Sequence, residues 1–153
     1  MRRRGLFQDW QPKTDEKLLI IHADDFGMCH SKNRATSLAL ETGAISSASI
    51  MMPCAWVAEA VEWCKKHPDA DVGLHLTLTS EWSTIRWRPV APADKVKGLL
   101  DPQGYMWGSV EQVVRNAKPQ EIETEIRAQI ELALQMGLKP THLDSHMGVV
   151  VNH

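Results

Sequence analysis

The apolar run Leu18-Leu19-Ile20-Ile21 leads into the polar turn Asp24-Asp25-Phe26-Gly27 and predicts a strand buried on both faces. Residues 31–42 then predict a short helix, with Ser31 as its cap and Gly43 as its stop. Ile45 to Met52, rich in Ile and Ser, predicts a second strand. A helix over 54–66 follows, with Trp56, Ala60 and Trp63 or Cys64 on one face, and His67-Pro68 ends it. Asp71 to Thr79 is the clearest strand: Val72, Leu74, Leu76 and Leu78 alternate with Gly73, His75, Thr77 and Thr79. Residues 80–108 hold Pro89, Pro92, Pro102 and Gly104 with three tryptophans, and predict a long functional loop. Ser109 with Gln112 suits a capping box. From Pro119 a helix carries Ile122, Ile126, Ile130, Ala133 and Leu134 as its buried stripe, and Gly137 with Pro140 closes it. Thr141 to His146 predicts a fourth strand.

Strands alternating with helices predict an α/β fold on a parallel sheet, with every strand's C-terminal end on one side. Residues 1–16 are polar and expected to be irregular, which leaves 17–153 as one domain. A net charge of −2 gives no electrostatic case for nucleic acid or a membrane surface. Three cysteines in 153 residues exclude a disulfide scaffold, and Cys29, Cys54 and Cys64 lack paired metal spacing. The basic start has no apolar stretch behind it, so a cytoplasmic location is expected.

Ionisable residues gather at three of the predicted strand ends: Asp24 and Asp25, His75, and Asp144 with His146. In parallel α/β folds that edge forms the site. One carboxylate with two imidazoles suits a divalent cation and leaves positions open. Such an ion acidifies water and polarises a carbonyl, and a second carboxylate takes the proton. Adjacent side chains diverge on a strand, so the Asp24-Asp25 pair offers both roles. His142 lies roughly 13 Å along the strand from His146 and reads as structural. Asp144 is placed to orient His75 or His146 through a hydrogen bond. His22, His30 and His67 read as surface or helix-end residues, although His22 shares a face with Asp24. Trp82, Trp87 and Trp107 either stack on a sugar ring or form a small core beneath the loop.

Three ordered segments resemble the YdjC-like carbohydrate deacetylases, which include chitooligosaccharide deacetylase. They are Leu19-Ile20-Ile21-His22-Ala23-Asp24-Asp25-Phe26-Gly27, Val72-Gly73-Leu74-His75-Leu76-Thr77-Leu78-Thr79, and Pro140-Thr141-His142-Leu143-Asp144-Ser145-His146-Met147-Gly148. Glu81-Trp82, Arg86-Trp87-Arg88-Pro89 and Gly104-Tyr105-Met106-Trp107 also resemble that family. The resemblance implies parallel β/α units of an irregular (β/α) barrel, incomplete in this chain. It implies one divalent metal ion, Mg²⁺ or Zn²⁺, held by Asp25, His75 and His146, with Asp24 as general base. Where many relatives carry a second histidine two places after the one at 146, this chain has Gly148.

The expected function is removal of acetyl groups from N-acetylated sugars such as chitooligosaccharides, with an acetylated mono- or oligosaccharide as substrate. A homo-oligomer is left open. The alternatives are another amide or ester metallohydrolase on the same scaffold, or a truncated product that only binds metal or sugar. The apolar ending at Val149 to His153 is expected to cut through the barrel.

Overall fold

A computed structural model describes residue 15 and residues 17–150. The reading of 1–16 as irregular therefore lies outside the described residues, save Asp15, and so do the last three residues of the apolar ending.

Four strands form one parallel sheet in chain order: β1 (His22–Phe26), β2 (Ser47–Ile50), β3 (Val72–Leu76) and β4 (Leu143–Ser145). Helix α1 (His30–Glu41) joins β1 to β2, and α2 (Val57–Lys66) joins β2 to β3. A long segment with two short 3-10 turns leads to α3 (Val110–Asn116) and α4 (Pro119–Gln135) before β4. One face of the sheet is apolar. Phe26, Ile50, Val72 and Leu74 pack there with Ala60 and Val61 of α2 and Ala133 of α4. Sequential strand order with helices packed on one face differs from a doubly wound sheet, whose helices cover both faces. Among the described residues the sheet is open.

The other face carries His22, Ser47, Ser49, Gly73, His75, His142 and Asp144. The registers Ser49↔Gly73 and His75↔Asp144 set these side chains in rows. Gly73 is needed in that row. A Cβ there would lie 2.5 Å from both the ring and the carbonyl oxygen of His142.

Leu18 to Ile21 do not form the first strand. They are 47–79% exposed, and the strand begins at His22. β1 lies at the sheet edge and pairs only with β2, whose ladder starts at Ser47. Among the described residues nothing covers the apolar run. Ser31 does not cap α1 either: Cys29 holds that position, and Asn33 Oδ1 instead accepts from Gly27 N at 2.7 Å. Gly43, at φ 71, is the predicted stop. Ser109 does cap α3, its hydroxyl accepting from Gln112 N. On α4 the stripe is rotated. Leu134 is 56% exposed, whereas Glu125 and Gln129 are fully buried. Gln129 binds both backbone groups of Thr77, and Glu125 accepts from Val90 N and Ala91 N. Backbone that no strand pairs draws these polar side chains inward.

Candidate metal centre

At the C-terminal edge of the sheet, β1 departs from regular alternation. Between Ala23 and Phe26 it advances three residues while β2 advances two, from Ala48 to Ile50. The extra residue is a β-bulge, and Asp25 takes the left-handed conformation there (φ 63). Aspartate tolerates that region better than most residues. The bulge returns Phe26 to the helix-covered core and leaves both Asp24 and Asp25 on the polar side. The two aspartates therefore do not diverge to opposite faces, as simple alternation predicts. They differ in partners instead.

Asp25 Oδ1 lies 3.6 Å from His75 Nε2 and 3.4 Å from His146 Nδ1. The two imidazole nitrogens are 3.2 Å apart. Adjacent donors around a cation with bonds of about 2.0–2.2 Å stand about 2.8–3.6 Å apart, so the three atoms are compatible with a divalent ion. Both histidines are buried. The outer atoms of the three are engaged elsewhere. His75 Nδ1 donates to Asp144 Oδ2 at 2.7 Å. His146 Nε2 lies 3.0 Å from Glu81 Oε2. Lys32 Nζ donates to Asp25 Oδ2 at 2.9 Å. Each of the three residues is thus left with one inward donor atom.

The charges follow from this packing. The hydrogen bond with His146 holds Asp25 far below the usual carboxylate range. Burial opposes it and Lys32 reinforces it. Burial alone would depress His146, but hydrogen bonds and charge from Asp25 and Glu81 outweigh it and raise that ring above its ordinary value. His75 moves the other way, lowered by burial and by the neighbouring His146, against the pull of Asp144 and Asp24.

Asp24 stands apart from this triad, with Oδ1 3.4 Å from His22 Nε2 and its side chain 58% exposed. His22, Asp24 and Asp144 also approach within metal-binding range of one another. Two of the three are already engaged: His22 contacts Ser47 Oγ (2.6 Å) and Ser49 Oγ (3.0 Å), and Ser49 donates to Asp144. We read this second group as a hydrogen-bond network. His22 is thus a member of the polar face, not a surface residue. His142 stays out of the triad, its Nδ1 3.5 Å from Asp71. His30 pairs with Glu59, and His67 ends α2 stacked on Trp63.

The loop tryptophans separate. Trp87 is buried with Met28, Met51, Cys54 and Met106, donates to Thr79 O, and meets His146 edge-on at 6.0 Å. It has no open face for a sugar and backs the site instead. Trp107 is half-buried, donating to Gly98 O. Trp82 is 50% exposed. The three cysteines are free, and burial pushes the Cys54 and Cys64 thiols up to about 12.

The sequence reading missed Glu81, Lys32 and Ser49. Lys32 comes from the first turn of α1 and Ser49 from the middle of β2. Ser49 shares the parity of His75 and Asp144 through the sheet register, which was the available signal. Glu81 and Lys32 lie on a loop and a helix, where strand periodicity carries no information.

Comparison with known proteins bears on the whole of this unit. The YdjC-like protein family matches residues 18–153. A carbohydrate deacetylase of Thermus thermophilus is 40% identical over 136 residues, 88% of this chain and 46% of the relative. A chitooligosaccharide deacetylase of Yersinia enterocolitica is 35% identical, covering 86% of this chain and 49% of that one. A solved structure from Enterococcus faecalis, of a protein named for cellobiose-phosphate cleavage, superposes with a TM-score of 0.78 at 30% identity. It covers 88% of this chain and 50% of that one. The chain spans about half the length of the curated relatives it matches. No helix among the described residues is long and apolar enough to cross a membrane. By sequence match, strand architecture and TM-score together, this chain belongs to the YdjC-like family.

Proposed function

We propose that the chain carries the metal-binding and proton-accepting part of a cytoplasmic carbohydrate deacetylase that hydrolyses the acetamide of N-acetylated mono- or oligosaccharides. The observation that carries this reading is the convergence of Asp25 Oδ1, His75 Nε2 and His146 Nδ1, with Asp24 next in the chain to Asp25 on the same bulge. The deacetylase names of the relatives supply the substrate class.

Asp25, His75 and His146 would hold one divalent cation, and two imidazoles favour Zn²⁺ or a similar ion over Mg²⁺. When bound, such an ion supplies activation of water and polarisation of the acetamide carbonyl. Asp24 accepts the proton of the attacking water at its carboxylate, which is open to solvent and held by His22. Asp144 and Lys32 fix the orientation of His75 and Asp25. Trp82 is the loop tryptophan free to stack on a sugar ring.

The test is acetate release from chitobiose and longer chitooligosaccharides, beside simple acetyl esters, with Zn²⁺, Mg²⁺ or chelator. Metal-dependent acetate release from the sugars is expected. Ester turnover without sugar deacetylation would favour a different metallohydrolase on this scaffold. A third outcome is binding without turnover. Stoichiometric metal with no hydrolysis of either class would establish that reading.

A further inference from the structure

We infer that Glu81 is the positioning residue that fixes His146 with its proton on Nε2, so that Nδ1 turns its lone pair to the metal centre. This rests on the metal reading above and extends it to a residue outside the three ligating positions.

The two histidines are built alike but reversed. His75 turns Nε2 inward and gives its Nδ1–H to Asp144. His146 turns Nδ1 inward, toward Asp25 and His75, and its Nε2 meets Glu81 Oε2 at 3.0 Å. A neutral imidazole has one N–H, and a carboxylate can only accept it. His146 has a carboxylate on each side, Glu81 Oε2 at 3.0 Å from Nε2 and Asp25 Oδ1 at 3.4 Å from Nδ1. With Asp25 engaged by a cation, Glu81 is the acceptor left for the ring's proton, and Nδ1 is free to ligate. Without Glu81, His146 could carry its proton on Nδ1, where it would block ligation.

The surroundings of Glu81 suit a fixed part. It follows β3 on a segment pinned by Ser80, whose N–H donates to Trp107 O (2.7 Å) and whose hydroxyl accepts from Trp87 N (3.1 Å). Trp87 in turn packs edge-on against the His146 ring. The same short stretch thus supplies both the acceptor and the wall. The Glu81 side chain is 24% exposed, so it is neither a solvated surface charge nor an isolated buried one. His146 itself sits beside Met147, a non-glycine residue in the left-handed region at φ 54.

Two measurements decide the matter. Nitrogen-15 NMR of the Zn²⁺-loaded wild type reads directly which His146 nitrogen carries the proton. The expected result is the Nε2–H form, and the Nδ1–H form would overturn the proposal. Calorimetric titration with Zn²⁺ alone then compares variants checked for an unchanged fold. Glu81→Ala should weaken Zn²⁺ binding roughly 10–100-fold. Glu81→Gln should keep the tautomer and most of the affinity, because its amide oxygen accepts the same N–H. Equal affinity in Glu81→Ala and wild type would overturn the role of Glu81 while leaving the metal centre intact. Failure of the wild type to bind any divalent ion would defeat the metal reading instead, and the role of Glu81 toward the ion with it.

Discussion

His75 and Asp144 are register partners on β3 and β4, and their side chains meet at 2.7 Å. The ladder itself thus delivers a carboxylate to the outer nitrogen of a buried imidazole. Asp144→Ala is expected to weaken Zn²⁺ binding roughly 10–100-fold by calorimetry, with Asp144→Asn in between, because its amide oxygen still accepts from Nδ1. Wild-type affinity in the alanine variant would show that packing and the Ser49 hydroxyl, 3.2 Å from Nδ1, hold the ring without Asp144.

Asp24 and Asp25 are neighbours with different partners, and their variants should separate. Asp25→Ala, His75→Ala and His146→Ala should each bind less than one ion per chain by elemental analysis. Asp24→Asn should retain full metal content and lose roughly 10²–10⁴-fold in acetate release, the usual contribution of a general base. Metal loss in Asp24→Asn would move that residue into the ligand set.

These features were unequally legible in the sequence. β3 was plain because its aliphatic and polar positions alternate over a full strand, and the His75 face followed from it. The Asp24-Asp25 geometry was not. One extra residue against β2 sets the bulge, and only the pairing reveals it. On α4 the pattern pointed to Leu134, yet Glu125 and Gln129 are the buried ones. Their partners are backbone groups at Thr77, Val90 and Ala91, far away in sequence. Hydrophobic periodicity locates apolar burial and cannot foresee a buried carboxylate that serves distant amides.

The loop after β3 is held partly by charge. Asp101 accepts from Arg86, Gln103 N and Tyr105 N. Burial pushes its carboxyl up, but the Arg86 guanidinium and the two amides outweigh burial and lower it. A depressed carboxyl stabilises the fold above its unfolded value, near 3.8, and that contribution is lost as pH falls through the folded value. Asp101→Asn should therefore cost about 1–2 kcal/mol at pH 7 by urea denaturation. The gap to wild type should shrink steadily below pH 4. A constant gap down to pH 2 would remove ionisation from the explanation.

Gly73 faces His142 across two strands with no room for a methyl group. Part of the obstruction is the His142 carbonyl oxygen, which belongs to the β3–β4 pairing and accepts from Leu74 N. Gly73→Ala should cost about 1–3 kcal/mol by thermal or urea unfolding. A wild-type midpoint would mean that β4 shifts at no cost.

The three inward donors come from β1, β3 and the residue after β4, while β2 contributes a hydroxyl from Ser49 instead. A cation shared among them would reach across the sheet and join β1 to β3 and the end of β4, strands with which β1 does not pair among the described residues. It would act as a reversible crosslink between the first and last strands, so occupancy and folding become one equilibrium. At a free-ion concentration a hundred times the Kd, that linkage adds about 2.7 kcal/mol to the folded state. On the function proposed above, the strand order would make the same ion a catalytic part and a structural clasp.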